Sequence, residues 1–86
     1  MHRKWVASPY YRAIIETVKA ARLEAGISQR QMAQRLGKPP SFVNKIEQIE
    51  RRIDVLEFIA FANAMDIPPA VLMDRLVQAL PDTFEI

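Results

Sequence analysis

The apolar residues of this chain are cut into short runs by Gly26, Gly37, Pro39-Pro40 and Pro68-Pro69, and no run shows the sustained alternation of apolar and polar residues that a sheet demands. An all-α fold of five short helices is the consequence. Ser8-Pro9 offers a cap followed by proline at the first helical position, and Ile14, Ile15, Val18 and Ala21 recur at helical spacing until Gly26. Ser28 with Gln31 forms a capping box, after which Met32, Ala33 and Leu36 form an inward stripe that Gly37 ends. Pro39-Pro40 pre-sets a third helix, with Val43 and Ile46 facing inward and Ser41, Asn44, Lys45 and Gln48 lining the opposite side. Asp54 with Glu57 repeats the capping signal before Leu56, Ile59, Ala60, Ala62, Asn63 and Met65. Asp66 to Pro69 then separates a fifth helix carrying Val71, Leu72, Leu76 and Leu80.

Eighty-six residues, half of them apolar, suffice for one modest core. We read a basic arm over residues 1–8, one helical domain over 9–80 and a tail over 81–86. Cysteine is absent, which removes disulfides, a thiolate nucleophile and thiolate metal ligation, and the lone His2 reads as a solvated end residue. No apolar run approaches the roughly 20 residues of a membrane span, and residues 1–8 lack the apolar stretch of a secretory signal. The expectation is a cytoplasmic, nucleoid-associated protein with no metal, no cofactor and no membrane partner.

Net charge is only +2, but its distribution is polarised. Up to Arg52 there are eleven Lys and Arg against four acidic residues; from Ile53 onward Arg75 stands alone against six. Such a chain can turn one face to a polyanion and keep the other for different work.

The span from Gln29 to Gln48 is the most informative. Ala33 allows close approach of two short helices, Gly37 accommodates a sharp turn, and Leu36, Val43 and Ile46 supply the seam between them. That leaves the outer face of the third helix free to enter a groove, and such a helix fits the major groove of B-form DNA. The sequence resembles the Cro/repressor-type (XRE, lambda-repressor-like) helix-turn-helix family through Arg22 to Gln29, Met32-Ala33, Leu36-Gly37 and Phe42 to Glu47, with Arg51 to Met65 similar to the family's fourth-helix region. The resemblance covers about residues 14–72 and implies a compact five-helix, lambda-repressor-like DNA-binding domain with its helix-turn-helix at the second and third helices.

Carried over residue by residue, the resemblance implies that Gln29 touches a DNA phosphate, a task suited to the free amides and dipole of a helix start. Ser41, Asn44 and Lys45 fall at positions that in the family look at base edges, where Asn pairs with adenine and Lys donates to guanine. Phe42 either touches a thymine methyl or packs on the second helix or on the turn. Arg51 and Arg52 are further phosphate candidates, as are Arg30, Lys38 and Gln48. Arg22 and Glu47 match a pair that ties the first helix to the third.

Three positions depart from the family pattern. Pro40 replaces a frequent base-reading glutamine, Lys38 a usually apolar turn residue, and Ile49 a frequent glycine. Ile49 either prolongs the third helix by a turn, or stays half-exposed beside the DNA face as a protein contact, or packs beneath the Arg51-Arg52 loop. In the arm, His2-Arg3-Lys4-Trp5 suits a phosphate backbone or minor groove, although Trp5 favours packing on an apolar surface. Val71, Leu72, Leu76 and Leu80 are the expected dimer surface, since the family commonly binds two-fold sites. The function expected is a sequence-specific regulator of transcription, a repressor, acting on double-stranded DNA as a homodimer. The alternative is an antitoxin or adaptor that uses the same fold to hold a protein partner through its acidic C-terminal part. An enzyme is the poorest reading, for want of a nucleophile-base-acid group, a metal-spaced motif or a Gly-rich phosphate loop, and none is expected.

Overall fold

Side-chain caps open three of the five helices found in the computed structural model, which describes residues 8–85. These helices are α1 (Pro9–Glu24), α2 (Gln29–Leu36), α3 (Ser41–Glu47), α4 (Val55–Ala64) and α5 (Pro69–Ala79); no strand occurs among the described residues. The Ser8 hydroxyl accepts from the Tyr11 amide at 3.2 Å to start α1. Reciprocal capping boxes open α2, through Ser28 and Gln31, and α4, through Asp54 and Glu57. At α3 and α5 proline sets the backbone instead, with Pro40 and Pro68 at the N-cap and no side-chain cap bond. The arm residues His2, Arg3, Lys4 and Trp5 lie outside the described residues.

The first four helices end in the same way. Just past each terminus a residue takes positive φ: Gly26 at 72°, Gly37 at 67°, Ile49 at 59° and Asp66 at 57°. Each donates its amide three residues back, and its successor donates five residues back, as when Ile49 bonds Ile46 and Glu50 bonds Lys45. This Schellman closure satisfies carbonyls that the helix end would otherwise leave unpaired. Glycine suits it because a Cβ in this region meets the backbone, so Ile49, β-branched, carries local strain. Its side chain is nonetheless buried, and its positive φ ends α3 at Glu47 without a further turn.

Ile15, Val18 and Ala21 of α1, Met32 and Ala33 of α2, Val43 and Ile46 of α3, Phe58, Phe61 and Ala62 of α4, and Leu72 and Leu76 of α5 share one core. The helix α1 packs on α5 and α3, while α4 packs on α2 and α5. Two expectations are corrected here. On α4 the inward residues are Phe58, Phe61 and Ala62; Leu56 is 75% exposed and Ile59 also faces outward. On α5, Leu72 is fully buried and Leu76 nearly so, which removes both from any dimer surface, and Leu80 packs against the core's edge. Val71 stays outside with Met73 and Val77. The tail is not detached, because Phe84 lies 5.3 Å from the Tyr10 ring of α1. No single helix among the described residues is long and apolar enough to cross a membrane.

Candidate nucleic-acid interface

The outer face of α3 is built from its inner one. Val43 and Ile46 are fully buried, which fixes the rotation of this seven-residue helix about its own axis. Residues three and four apart share a helix face, so Ser41, Asn44, Lys45 and Gln48 project together on the side away from the core, and all four are exposed. Gly37, at positive φ, and the two prolines make the turn between α2 and α3, and Ala33 of α2 is buried in the core. Arg30 and Lys38 are exposed at the beginning and just past the end of α2.

Behind the exposed face lies a polar cluster. The Arg22 guanidinium donates Nε to Glu47 Oε2 at 2.6 Å and Nη2 to Glu47 Oε1 at 2.9 Å, and its Nη1 reaches the Ile27 carbonyl at 2.7 Å. Both side chains are buried, so each charge depends on the other to offset the loss of water. Gln29, half-buried at the first turn of α2, donates Nε2 to Glu47 Oε1 at 2.9 Å and lies 3.4 Å from Asn44 Oδ1. The sequence places Gln29 at a helix start but offers no sign of these two bonds, which span 18 and 15 residues.

Phe42 is half-buried, and its ring lies 6.3 Å from that of Phe61 on α4. Lys38 Nζ and Arg51 Cζ stand over its ring at 5.4 and 5.0 Å, within the range of a cation-π attraction. Lys38, Phe42 and Phe61 line an apolar cleft that Leu36, Glu57 and Ala60 complete.

Arg51 is engaged within the fold. Its Nη1 bonds Glu57 Oε1 at 3.1 Å and the Arg52 carbonyl at 3.0 Å. For Glu57, partial burial pushes the carboxyl up, but the Arg51 bond, the Asp54 amide and the nearby positive charges outweigh it, and the net shift is downward. The bond to Glu57 likewise raises the Arg51 guanidinium, against a smaller opposing effect of burial. Arg52 is exposed, its guanidinium 5.9 Å from the Tyr11 ring centre. The Tyr11 phenol accepts from the Ile53 amide at 3.0 Å, pinning the segment between α3 and α4 to α1; burial raises its pKa despite that bond and the neighbouring arginines. Among the described residues no three His, Cys, Asp or Glu side chains group to hold a metal ion.

Two short helices crossing over a tight turn, the second with a buried back and a polar front, define a helix-turn-helix unit. Residues 18–72 match the helix-turn-helix family model. Among solved structures, the chain is similar to an XRE-family-like protein from Pseudomonas syringae pv. tomato, at 42% identity and a TM-score of 0.76, over 84% of this chain and 88% of the other. It shares its fold with the restriction-modification controller protein C.Esp1396I, at 18% identity and a TM-score of 0.76, over 84% and 95% of the two chains. The clp gene regulator ClgR from C. glutamicum has the same fold at 12% identity and a TM-score of 0.74, over 88% and 99%. No curated protein matches the sequence. The chain belongs to the XRE-type helix-turn-helix family, a family of DNA-binding regulators.

Proposed function

We propose that this chain is a sequence-specific transcriptional regulator, a repressor, that inserts α3 into the major groove of double-stranded DNA and acts as a homodimer. One observation carries the reading. Ser41, Asn44 and Lys45 are exposed together on α3 while Val43 and Ile46 behind them are fully buried, so the fold holds three polar side chains outward on a rigid support. Arg30, Lys38, Gln48 and Arg52 join that face as phosphate contacts; Gln29, whose side-chain NH2 is bonded to Glu47 and Asn44, does so through its main-chain amide at the start of α2, and Arg51 joins them only insofar as Glu57 leaves its guanidinium donors to spare. Its work is binding and not catalysis, carried out on nucleoid DNA in the cytoplasm.

The dimer reading now rests on the apolar side chains left outside α5, namely Val71, Met73 and Val77. Exposed Val55 and Leu56 at the start of α4 favour a second reading, an adaptor or antitoxin that also holds a protein partner there. Gel-shift titration against the chain's own upstream region at several salt concentrations tests the DNA reading. Binding that weakens steeply with salt is expected, because each neutralised phosphate releases counterions. Salt-independent binding, or none, overturns it.

A further inference from the structure

We infer that Gln29 fixes the amide of Asn44 so that it presents a hydrogen-bond donor outward, and that Asn44 therefore selects guanine and not adenine at the base it faces. The inference rests on the DNA reading above and specifies its chemistry.

Glu47, with both oxygens bonded to the Arg22 guanidinium, is an ionised carboxylate and only accepts. Gln29 also meets Glu47 Oε1, so the atom it turns there must be its NH2 and not its carbonyl oxygen. That same Nε2 lies 3.4 Å from the Asn44 side-chain amide, a long contact whose sense matters more than its strength. A second NH2 group in that place would set donor against donor, so Oδ1 turns inward and Nδ2 turns away. Arg22 of α1, Glu47 of α3 and Gln29 of α2 thus relay a charge buried in the core to the orientation of the Asn44 side chain at the surface.

The consequence for base readout follows from the groove code. Pairing with adenine by both ends of an amide requires Oδ1 to accept from N6 while Nδ2 donates to N7. Here Oδ1 is already turned toward Gln29, and the next side chain on the same face, Lys45, has only donors. A surface of donors matches a base whose groove edge offers only acceptors, and guanine presents two, O6 and N7. In this role Gln29 is a positioning residue and touches no base.

Selection of bound sequences from a randomised duplex pool, carried out with the whole chain and then with Asn44→Ala, Gln29→Leu and Asn44→Asp, tests this. The wild type is expected to select guanine at the position where Asn44→Ala loses its preference, with discrimination falling about tenfold. Gln29→Leu frees the amide and should admit adenine at that position while leaving the others unchanged, which a loss of packing or of a phosphate contact would not do. Asn44→Asp turns the outward group into an acceptor and should exchange guanine for cytosine. Circular dichroism of each variant confirms that it is folded. Adenine selected by the wild type at the Asn44 position, no preference there, or guanine retained in Gln29→Leu overturns the inference and leaves the DNA reading standing. Failure of the wild type to enrich any sequence overturns both.

Discussion

Glu47 meets Arg22 with both carboxylate oxygens, at 2.6 and 2.9 Å, across 25 residues of sequence and inside the protein. The pair joins α1 to α3 and is the fixed point from which Gln29 and Asn44 take their orientation.

Removing one member leaves the other charged, buried and unpaired. Arg22→Ala or Glu47→Ala should therefore cost about 3–5 kcal/mol of stability. Arg22→Met with Glu47→Leu, which removes both charges, should cost clearly less than either. Urea unfolding of the three variants checks this, and a double variant as unstable as the singles would contradict it.

Ile49 sets two effects against each other: its buried side chain stabilises, while its positive φ does not. Ile49→Ala loses the packing and keeps the strain, at about 2–4 kcal/mol. Ile49→Gly loses the packing and relieves the strain, so glycine should be more stable than alanine here by about 1 kcal/mol. Thermal melts of the two proteins read the order directly. At Gly37, where an added Cβ meets nothing within 4 Å, Gly37→Ala should cost only the backbone strain of about 1–2 kcal/mol.

The two kinds of apolar residue on α5 should separate sharply. Leu72→Ala opens a cavity in the core and should cost about 2–5 kcal/mol, whereas Val71→Ala should stay within about 0.5 kcal/mol for the monomer. If α5 makes the dimer, Val71→Asp and Val77→Asp should lower the mass seen by sedimentation without lowering the monomer's helix content.

Acid should weaken the Arg51-Glu57 link. Because the Glu57 carboxyl is held below its ordinary value of 4.5, the folded state binds this proton less readily than the unfolded chain does. The link therefore contributes fully above that ordinary value and is lost as pH falls through the lowered one. Glu57→Gln should be less stable than wild type at pH near 7, and the difference should shrink as the pH falls below 4. A difference independent of pH would mean that Glu57 acts only as the cap partner of Asp54.

Much of the architecture is legible in the sequence because the signals are local. A cap acts over three residues, a proline fixes its own φ, and a Schellman turn closes over six, so Ser28 with Gln31, Asp54 with Glu57 and Gly37 mark helix ends without help from distant parts of the chain. The face of α3 is equally plain, since Val43 and Ile46 lie three residues apart while Ser41, Asn44, Lys45 and Gln48 are polar, and only one rotation buries the first two.

The tertiary structure decided what periodicity left degenerate. Helix α4 is apolar nearly all round and α5 carries apolar residues on both sides of its Asp74, Arg75 and Gln78 face, so the spacing does not say whether Leu56 or Phe58, Val71 or Leu72, turns inward; the crossings with α1 and α2 make that choice. Ile49 is placed by packing strong enough to hold a β-branched residue in a backbone conformation that it avoids alone. The bonds from Gln29 to Glu47 and Asn44, and from Arg51 to Glu57, depend on side chains brought together from separate elements, and a polar residue's choice of partner is settled only by which others the packed helices bring within 3 Å or so of it.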